Sequence, residues 1–169
     1  MRPPHVLERK QLIQADILEA FRFFEDPRNL ELITPPWLHF EVVSSSHSQV
    51  QRGTEIAYRL RWQILPMSWR SRIAEYEPGV MFSDEMLEGP YRSWYHEHLF
   101  EEVEDGVEIT DVVTYRLPFG PLGRLVHSVL IRAQLEAIFD FRQEVIKSSL
   151  RPLPNALGAQ PTPGLPALS

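Results

Sequence analysis

The chain has 169 residues, the length of one domain with its own core, and its 43% hydrophobic and 24% charged residues are typical of a soluble globular protein. A net charge of −6 argues against nucleic acid or an anionic membrane as a partner, since both usually require a basic patch. The lack of cysteine excludes disulfides, thiolate metal sites and a cysteine nucleophile. With no signal peptide and no apolar run near the about 18 residues of a membrane span, we expect a cytoplasmic protein.

The N-terminal region predicts a strand followed by two short helices. Residues Val6 to Ile13 alternate as a strand does. Asp16 can cap a helix in which apolar residues recur at helical spacing, at Ile17, Leu18, Phe21 and Phe24. Asp26-Pro27 interrupts this helix, and a second helical segment is predicted from Asn29 to Ile33.

From Leu38 to Leu117 the apolar period changes to two, which predicts about six antiparallel strands. Phe40 and Val42 open the first of them, and Gly53 marks the next turn. The clearest half-buried strand places four residues on one face: Ile56, Tyr58, Leu60 and Trp62. After a predicted loop containing Pro66, the following strand has the inward-facing residues Trp69, Ser71 and Ile73.

One predicted strand has polar rings on its inner face. Its alternation puts Trp94, His96, His98 and Phe100 on one side. The opposite side, with Tyr95, Glu97, Leu99 and Glu101, is predicted to face outward. A sheet that needed only a core would normally have Val, Ile or Leu on the inner side. We therefore expect this face to contact something besides its own protein.

The turns predict how the strands pair. If Pro78-Gly79 is a two-residue turn, Ile73 pairs with Asp84 and Glu75 with Phe82. A similar turn at Asp105-Gly106 pairs His96 with Tyr115, His98 with Val113, and Phe100 with Asp111. Both registers keep the proposed inner residues on one face, with Asp111 diagonal to His98. The Gly89-Pro90 turn has no unambiguous length, so the register of Asp84 against Trp94 stays open.

Helical spacing returns in the C-terminal region and predicts one long helix from Gly123 to Leu150, about 40 Å in length. Residues 151–169 are rich in proline and are predicted to form a disordered tail, which leaves residues 1–150 as one domain. The element order predicts an α+β fold in which an antiparallel sheet of about six to seven strands curves around the long helix. Such a sheet leaves a concave space where pockets form.

Several local motifs match those of one superfamily. They are Leu32-Ile33-Thr34-Pro35-Pro36-Trp37, Gly53-Thr54-Glu55-Ile56-Ala57-Tyr58, Trp69-Arg70-Ser71-Arg72-Ile73, Phe82-Ser83-Asp84 and Gly89-Pro90-Tyr91, with Trp94, His96, His98, Phe100, Asp111, Tyr115, Pro118, Phe139 and Arg142. Through them and the element order, residues 5–150 resemble the SRPBCC superfamily, the helix-grip fold of START lipid-transfer domains, polyketide cyclases and plant pathogenesis-related allergens. More narrowly, the chain is similar to small bacterial members described only as ligand-binding or cyclase/dehydrase-like.

The resemblance implies a cavity for a hydrophobic or amphipathic small molecule, and it specifies neither the ligand nor a reaction. The chain departs from the superfamily pattern at Met86, where relatives often have a glutamine. This departure makes that part of the expected pocket less polar.

Four polar residues of the predicted inner face are candidates for chemistry. His96 and His98 have the spacing of two metal ligands on one strand, with Asp111 as a possible third ligand and Asp84 as a possible fourth. A metal site needs three or four ligands, and only the two histidines are secure by spacing. We therefore predict no metal and no cofactor. The pair can instead contact a ligand, transfer a proton, or join a buried hydrogen-bond network with Asp84 and Asp111. Because burial beside an acid tunes a general base, His96, His98 and Asp111 are the catalytic candidates.

Arg142 and a set of aromatic residues complete the predicted pocket. Arg142 lies among apolar helix positions, where it can hold the carboxylate, enolate or phosphate of a ligand or neutralise a buried acid. The loop that ends in Trp37 is a candidate rim. The predicted ligand-binding set is Tyr58, Trp62, Trp69, Asp84, Trp94, His96, His98, Asp111, Tyr115, Phe139 and Arg142.

Three functional hypotheses follow. The leading one is a binding module that holds a polyketide, isoprenoid, quinone or lipid-like molecule between the sheet and the C-terminal helix. The alternative is a cyclase/dehydratase-type enzyme with a His/Asp pair as general base and Arg142 or Tyr115 stabilising an enolate. The third is a regulatory or interaction protein with a vestigial pocket. The sequence does not predict the oligomeric state.

Overall fold

The computed structural model describes residues 3–62, 64–118 and 130–150. In chain order its elements are β1 (His5–Ile13), α1 (Ile17–Glu25), α2 (Asn29–Leu32), a 3₁₀ helix (Pro36–Leu38), β2 (Glu41–Ser45), β3 (Glu55–Trp62), β4 (Leu65–Glu77), β5 (Met81–Glu88), β6 (Ser93–Val103), β7 (Gly106–Arg116) and α3 (Arg132–Ser149). The predicted N-terminal strand, both short helices and the run of strands are therefore confirmed.

One sheet contains all seven strands, in the order β1-β7-β6-β5-β4-β3-β2, and every neighbouring pair is antiparallel. The sheet curves around α3, which buries Leu135, Phe139 and Ile146. This arrangement confirms the predicted α+β fold. The predicted helix start at Gly123 and the predicted tail at residues 151–169 lie outside the described residues. Among the helices that the structure describes, none is long and apolar enough to cross a membrane.

Helix α1 begins at the predicted cap and packs on the centre of the sheet. The Asp16 carboxylate accepts hydrogen bonds from the backbone N–H groups of Leu18 and Glu19, at 2.8 Å and 3.3 Å. The helix then buries Phe21 and Phe24, whose rings lie 5.0 Å and 5.2 Å from the ring of Phe100 on β6. The cap thus orients a helix that closes one end of the space beneath the sheet.

Replacing Asp16 by Ala is expected to lower the free energy of unfolding by about 1 kcal/mol, because two backbone donors of the first turn lose their acceptor. Urea denaturation followed by circular dichroism measures the change. Asp16→Asn is the matched control, since its amide oxygen can still accept, and it should lose much less. Equal losses in the two variants would contradict the capping role.

Helix α3 is attached to the sheet along β1, where it approaches the sheet backbone most closely. Gln143 of α3 donates through Nε2 to the Lys10 carbonyl at 3.1 Å, and Gln11 Nε2 donates to the Gln143 carbonyl at 2.7 Å. Arg9 and Asp140 add an ion pair at 3.7 Å. Over the other strands, the interval between helix and sheet is filled by side chains.

The predicted loop at Pro66 is wrong, because β4 starts at Leu65 and Pro66 pairs with Arg61 of β3. Proline is tolerated here for a physical reason. On its other side β4 pairs with β5 only from Arg70 onward, so the missing N–H of Pro66 removes no bond of that second ladder.

The predicted turn at Pro78-Gly79 has the right place and the wrong length. Glu77 pairs with Met81, so three residues form the connection, and Glu75 faces Ser83 rather than Phe82. An irregularity between Ile73 and Glu75 removes the one-residue offset, and the predicted pairing of Ile73 with Asp84 is confirmed.

The predicted register of β6 on β7 is wrong by two residues. Val103 pairs with Gly106, so Glu104-Asp105 forms the turn and Gly106 is already part of the strand. A Cβ atom on Gly106 would lie 2.1 Å from the Ile13 carbonyl oxygen, which shows that glycine is needed where β7 meets the end of β1. As a result, the partners of Trp94, His96, His98 and Phe100 are Tyr115, Val113, Asp111 and Ile109, respectively.

Candidate functional site

Three adjacent strands place four ionisable side chains on the inner face of the sheet. Asp84 of β5 pairs directly with His96 of β6, and His98 of β6 pairs directly with Asp111 of β7. His96, His98 and Asp111 are only 5%, 4% and 7% exposed. Two directly opposed acid–histidine pairs on a curved sheet therefore converge beneath α3.

The four groups form a closed ring of contacts. Asp111 Oδ1 lies 3.0 Å from His96 Nε2, with which it makes a hydrogen bond. The same oxygen lies 2.7 Å from His98 Nδ1, although that nitrogen is not aligned for a hydrogen bond. On the other side of the rings, Asp84 Oδ2 lies 3.6 Å from His96 Nδ1 and 3.7 Å from His98 Nε2. The two imidazole centroids are 3.9 Å apart.

Arg142 of α3 adds a positive charge from the opposite side. Its guanidinium carbon lies 5.5 Å from the centre of the Phe24 ring and 5.8 Å from that of Phe139. Its Nε atom is buried and has no hydrogen-bond partner among the described residues. We refer to Asp84, His96, His98, Asp111 and Arg142 as the polar cluster.

A cavity of about 50 Å³ adjoins the polar cluster, and Asp84, His98 and Arg142 form part of its wall. Other wall residues come from the α1–α2 region, the β2–β3 connection and the sheet, and include Phe24, Asn29, Ile33, Val50, Tyr58, Ser71 and Phe82. This volume holds a few water molecules. It is far below the roughly 300–1,000 Å³ of a site for a drug-sized ligand.

A second, more open cleft of about 350 Å³ lies where α3 begins. Its described lining consists of Trp37, Trp62, Leu130 and Gln134. Trp62 Nε1 donates a hydrogen bond to Gln134 Oε1, which connects β3 to the first turn of α3. The half-exposed Trp37 ring packs on Phe141, so the loop predicted as a rim does border a cleft.

No protein-family model and no curated protein matches the sequence. Solved structures match over most of its length. TTHA0849 from Thermus thermophilus has a TM-score of 0.64 and 17% identity, covering 87% of this chain and 99% of its own. Ginseng major latex-like protein 151 from Panax ginseng has a TM-score of 0.67 and 13% identity, covering 89% of this chain and 100% of its own. Protein CV1439 from Chromobacterium violaceum has a TM-score of 0.68 and 12% identity, covering 88% of this chain and 99% of its own. The chain shares the helix-grip fold of these structures. At these identities, the likeness extends to the fold alone.

Within this helix-grip fold, burial and mutual contact separate the pKa values of the polar cluster. Burial, aided by the charge of His98, lowers the pKa of His96 to about 4. Burial also acts to lower the pKa of His98, but Asp111 and Asp84 outweigh it and raise that pKa above its usual value. Burial opposes ionisation of Asp111, yet Arg142 and the two imidazoles hold its pKa well below the usual range. Near neutral pH, His96 is neutral and Asp111 is a carboxylate.

The helix-grip fold brings seven of the eleven predicted ligand-binding residues to one place. They are the five members of the polar cluster together with Phe139, whose ring lies 5.6 Å from that of His96, and Tyr58 in the cavity wall. The Tyr58 hydroxyl bonds to Ser71 Oγ at 2.9 Å. Trp62 lies at the second cleft instead.

Trp69, Trp94 and Tyr115 form a separate aromatic cluster around Tyr91. The Trp94 ring lies 5.3 Å from that of Trp69, 4.9 Å from that of Tyr91 and 5.9 Å from that of Tyr115. The predicted pairing of Tyr115 with His96 is wrong, because the two-residue register shift moves Tyr115 beside Trp94. Trp94 still touches the edge of the polar cluster, with its ring 6.3 Å from that of His96.

The sequence-based set omits several residues of the cavity wall. The sequence pattern marks Phe24 only as an apolar helix position, and Phe82 and Ser71 only as inward strand residues. Gln134 of the second cleft is a polar residue within the apolar face of α3, and that break in the pattern is the signal available for it.

Proposed function

We propose that this protein binds an amphipathic small molecule, with a lipid-like or polyketide-like body and an acidic head group, between the sheet and α3. The observation that carries the proposal is the position of Arg142. Its guanidinium lies in the cavity wall, and its buried Nε has no partner among the described residues. A buried donor without an acceptor is costly, and a ligand carboxylate would satisfy it.

Charge favours an acidic group at this position. Asp111 is ionised but already faces both imidazoles, with its Oδ1 at 2.7 Å and 3.0 Å from their nitrogens. Arg142 therefore has donors to spare, since a guanidinium has five N–H groups in a planar fork. Phe24 and Phe139 flank it and would exclude water from a bound head group.

The body of the ligand needs more room than the cavity of about 50 Å³ provides. Side chains, rather than backbone, fill the interval between α3 and the strands beyond β1. Outward displacement of the first half of α3 would move Leu135 and Phe139 away from the sheet and open this interval toward the cleft at Trp37 and Trp62. The proposal therefore includes enlargement of the cavity on binding.

Native mass spectrometry of gently purified protein tests the proposal directly, and a co-purified apolar acid is the expected result. Thermal unfolding with dodecanoic acid and dodecanol as probes extends the test. At a hundred times its dissociation constant, a bound ligand adds about 2.7 kcal/mol, which is roughly 5–10 °C in Tm. An empty protein that neither probe nor a wider lipid panel stabilises would refute the proposal.

Replacing Arg142 by Gln is expected to weaken binding of the fatty acid at least tenfold while changing alcohol binding little, because only the acid uses the positive charge. Isothermal titration calorimetry measures both affinities. Arg59→Gln is the matched control, since Arg59 is exposed on β3. Equal weakening of acid and alcohol would show that Arg142 supports the cavity without recognising the head group.

The polar cluster also favours a second function, a dehydration of cyclase/dehydratase type, because His98 both contacts Asp111 and lines the cavity. His96, with a pKa of about 4, is a weak base and is not among the described residues that line the cavity. The reaction would remove a proton and a hydroxyl, together one water, from a β-hydroxyacyl thioester. Ultraviolet absorption of the conjugated product tests it, and His98→Gln should abolish activity that Arg59→Gln retains.

A further inference from the structure

Three potential metal-ligand atoms lie close to one another beside the cavity. One ligand atom from each of Asp84, His96 and His98 lies within 4.8 Å of the other two. Asp84 Oδ2 is 3.6 Å from His96 Nδ1 and 3.7 Å from His98 Nε2, too far for hydrogen bonds. Three acceptors that converge without a proton between them repel one another, and a positive centre, either a proton on His98 or a metal ion, relieves that repulsion.

Asp111 determines which ring nitrogens carry the protons. A carboxylate only accepts, so His96 Nε2, hydrogen-bonded to Asp111 Oδ1 at 3.0 Å, must be the N–H. His98 Nδ1 lies 2.7 Å from the same oxygen without hydrogen-bond alignment. In the neutral ring, a proton on Nδ1 is favoured, because an unprotonated nitrogen there would face a carboxylate lone pair at that distance. The remaining nitrogens, His96 Nδ1 and His98 Nε2, are then unprotonated and face Asp84.

This is the arrangement of a metal site with its outer carboxylate. Metal-bound histidines usually donate their second N–H to a carboxylate, which fixes the ring orientation. A Zn²⁺ ion about 2.0–2.1 Å from each ligand needs ligand atoms about 3.3 Å apart in a tetrahedron. The distances of 3.6 Å and 3.7 Å exceed this value by a few tenths of an ångström.

We propose that Asp84, His96 and His98 bind one divalent transition-metal ion, with Asp111 orienting both imidazoles from behind the ligands. Two imidazoles and one carboxylate suit Zn²⁺ and Fe²⁺. The two carboxylates balance the charge of the ion. Asp84 and His98 also line the cavity, so a remaining coordination position faces it, on the side where Arg142 lies.

The structure adds what the sequence spacing lacked, a third ligand from a neighbouring strand. Asp84 pairs with His96 across β5 and β6, a register that the Gly89-Pro90 turn left open. The proposal stands apart from the binding of an amphipathic molecule, because the three ligands would bind an ion whether or not the space beneath α3 accepts a lipid.

Calorimetric titration of chelator-stripped protein with ZnCl₂ tests the proposal, and one equivalent is expected to bind. Asp84→Asn, which changes a partly exposed residue and preserves its size, should weaken binding at least tenfold. Asp111→Asn should weaken it by about 10–100-fold, the usual effect of losing an outer carboxylate. His39→Asn is the matched control, because His39 is exposed and its left-handed backbone, with φ of 43°, suits asparagine.

X-ray absorption of the zinc-loaded wild-type protein keeps the test independent of variant folding, and two imidazoles with oxygen ligands are expected. Binding that is lost in Asp84→Asn and kept in His39→Asn would support the site. No stoichiometric binding by the wild type, undiminished binding by folded Asp84→Asn, or a spectrum with fewer than two imidazoles would each overturn it. Because no lipid is added and the bound metal itself is measured, the outcome of these measurements is separate from that of the lipid-binding experiments.

Discussion

Replacing Asp111 by Asn is expected to lower the free energy of unfolding by about 3 kcal/mol, the usual cost of removing one partner from a buried ion pair. Asp111 is 7% exposed and its pKa lies well below the usual range, so it is a buried carboxylate in the folded protein. Asparagine preserves the shape but removes the charge that offsets Arg142 and His98. Arg142 then loses that counter-charge, and Asp84 alone remains as an acidic partner of His98.

Urea denaturation of metal-free protein in EDTA measures this loss, which corresponds to a fall in Tm of roughly 6–12 °C. Glu108→Gln is the control on the same strand, because Glu108 pairs with Lys10 at 2.6 Å near the surface. An exposed ion pair contributes at most about 1 kcal/mol, so the control should lose far less. A similar small loss in Asp111→Asn would show that the polar cluster is well solvated in the folded protein.

The metal-free protein is expected to be most stable near pH 6.5 and less stable on both sides. The pKa of His96 is lowered from 6.5 to about 4 in the folded protein. Between these two pH values, His96 is therefore protonated in the unfolded chain but neutral in the folded protein. Stability then falls by about 1.4 kcal/mol per pH unit, to a total of about 3 kcal/mol by pH 4. Below that pH, protonation of Asp111, whose pKa is also lowered, removes more.

Above pH 6.5, the expected fall in stability comes from His98. Its pKa is raised in the folded protein, so its contribution is complete below pH 6.5 and is lost as the pH rises through the folded value. Urea denaturation between pH 5 and 8.5 in EDTA measures both limbs. His96→Gln should flatten the limb between pH 5 and 6.5, and His39→Asn should keep the wild-type profile. An unchanged acid limb in His96→Gln would assign the slope to other groups.

The faces of the strands were predictable, whereas most of the partners across them were not; the pairing of Ile73 with Asp84 is an exception. Period-two alternation places His96, His98 and Asp111 inward in any register that differs by an even number of residues. The observed shift of two between β6 and β7 therefore leaves every face correct while changing each neighbour. The deciding contact is Gly106 against the Ile13 carbonyl, which joins residues far apart in sequence.

The sequence likewise could not predict how far along its strand a residue lies from the polar cluster. Trp69, Trp94 and Tyr115 face inward as predicted, yet they lie toward the end of the sheet where Tyr91 packs, outside the polar cluster. Period-two alternation predicts which face of the sheet a side chain occupies, but not where it lies relative to α3. Arg142 was predictable because helical spacing placed it on the buried stripe of α3, directly over the strands that carry the acids.

The attachments of α3 would give the proposed displacement of this helix an axis. Near its C-terminal half, the exchange of hydrogen bonds between Gln143 and β1 acts as a pivot, whereas its first turn is fastened to β3 by the bond between Trp62 and Gln134. If the bond between Trp62 and Gln134 breaks, the first half of α3 can move outward, whereas the residue next to Gln143 would move little. That residue is Arg142. Under the proposed binding of an amphipathic molecule, such a displacement would widen the apolar wall around ligands of different bulk while Arg142 presents the same charge to each of them.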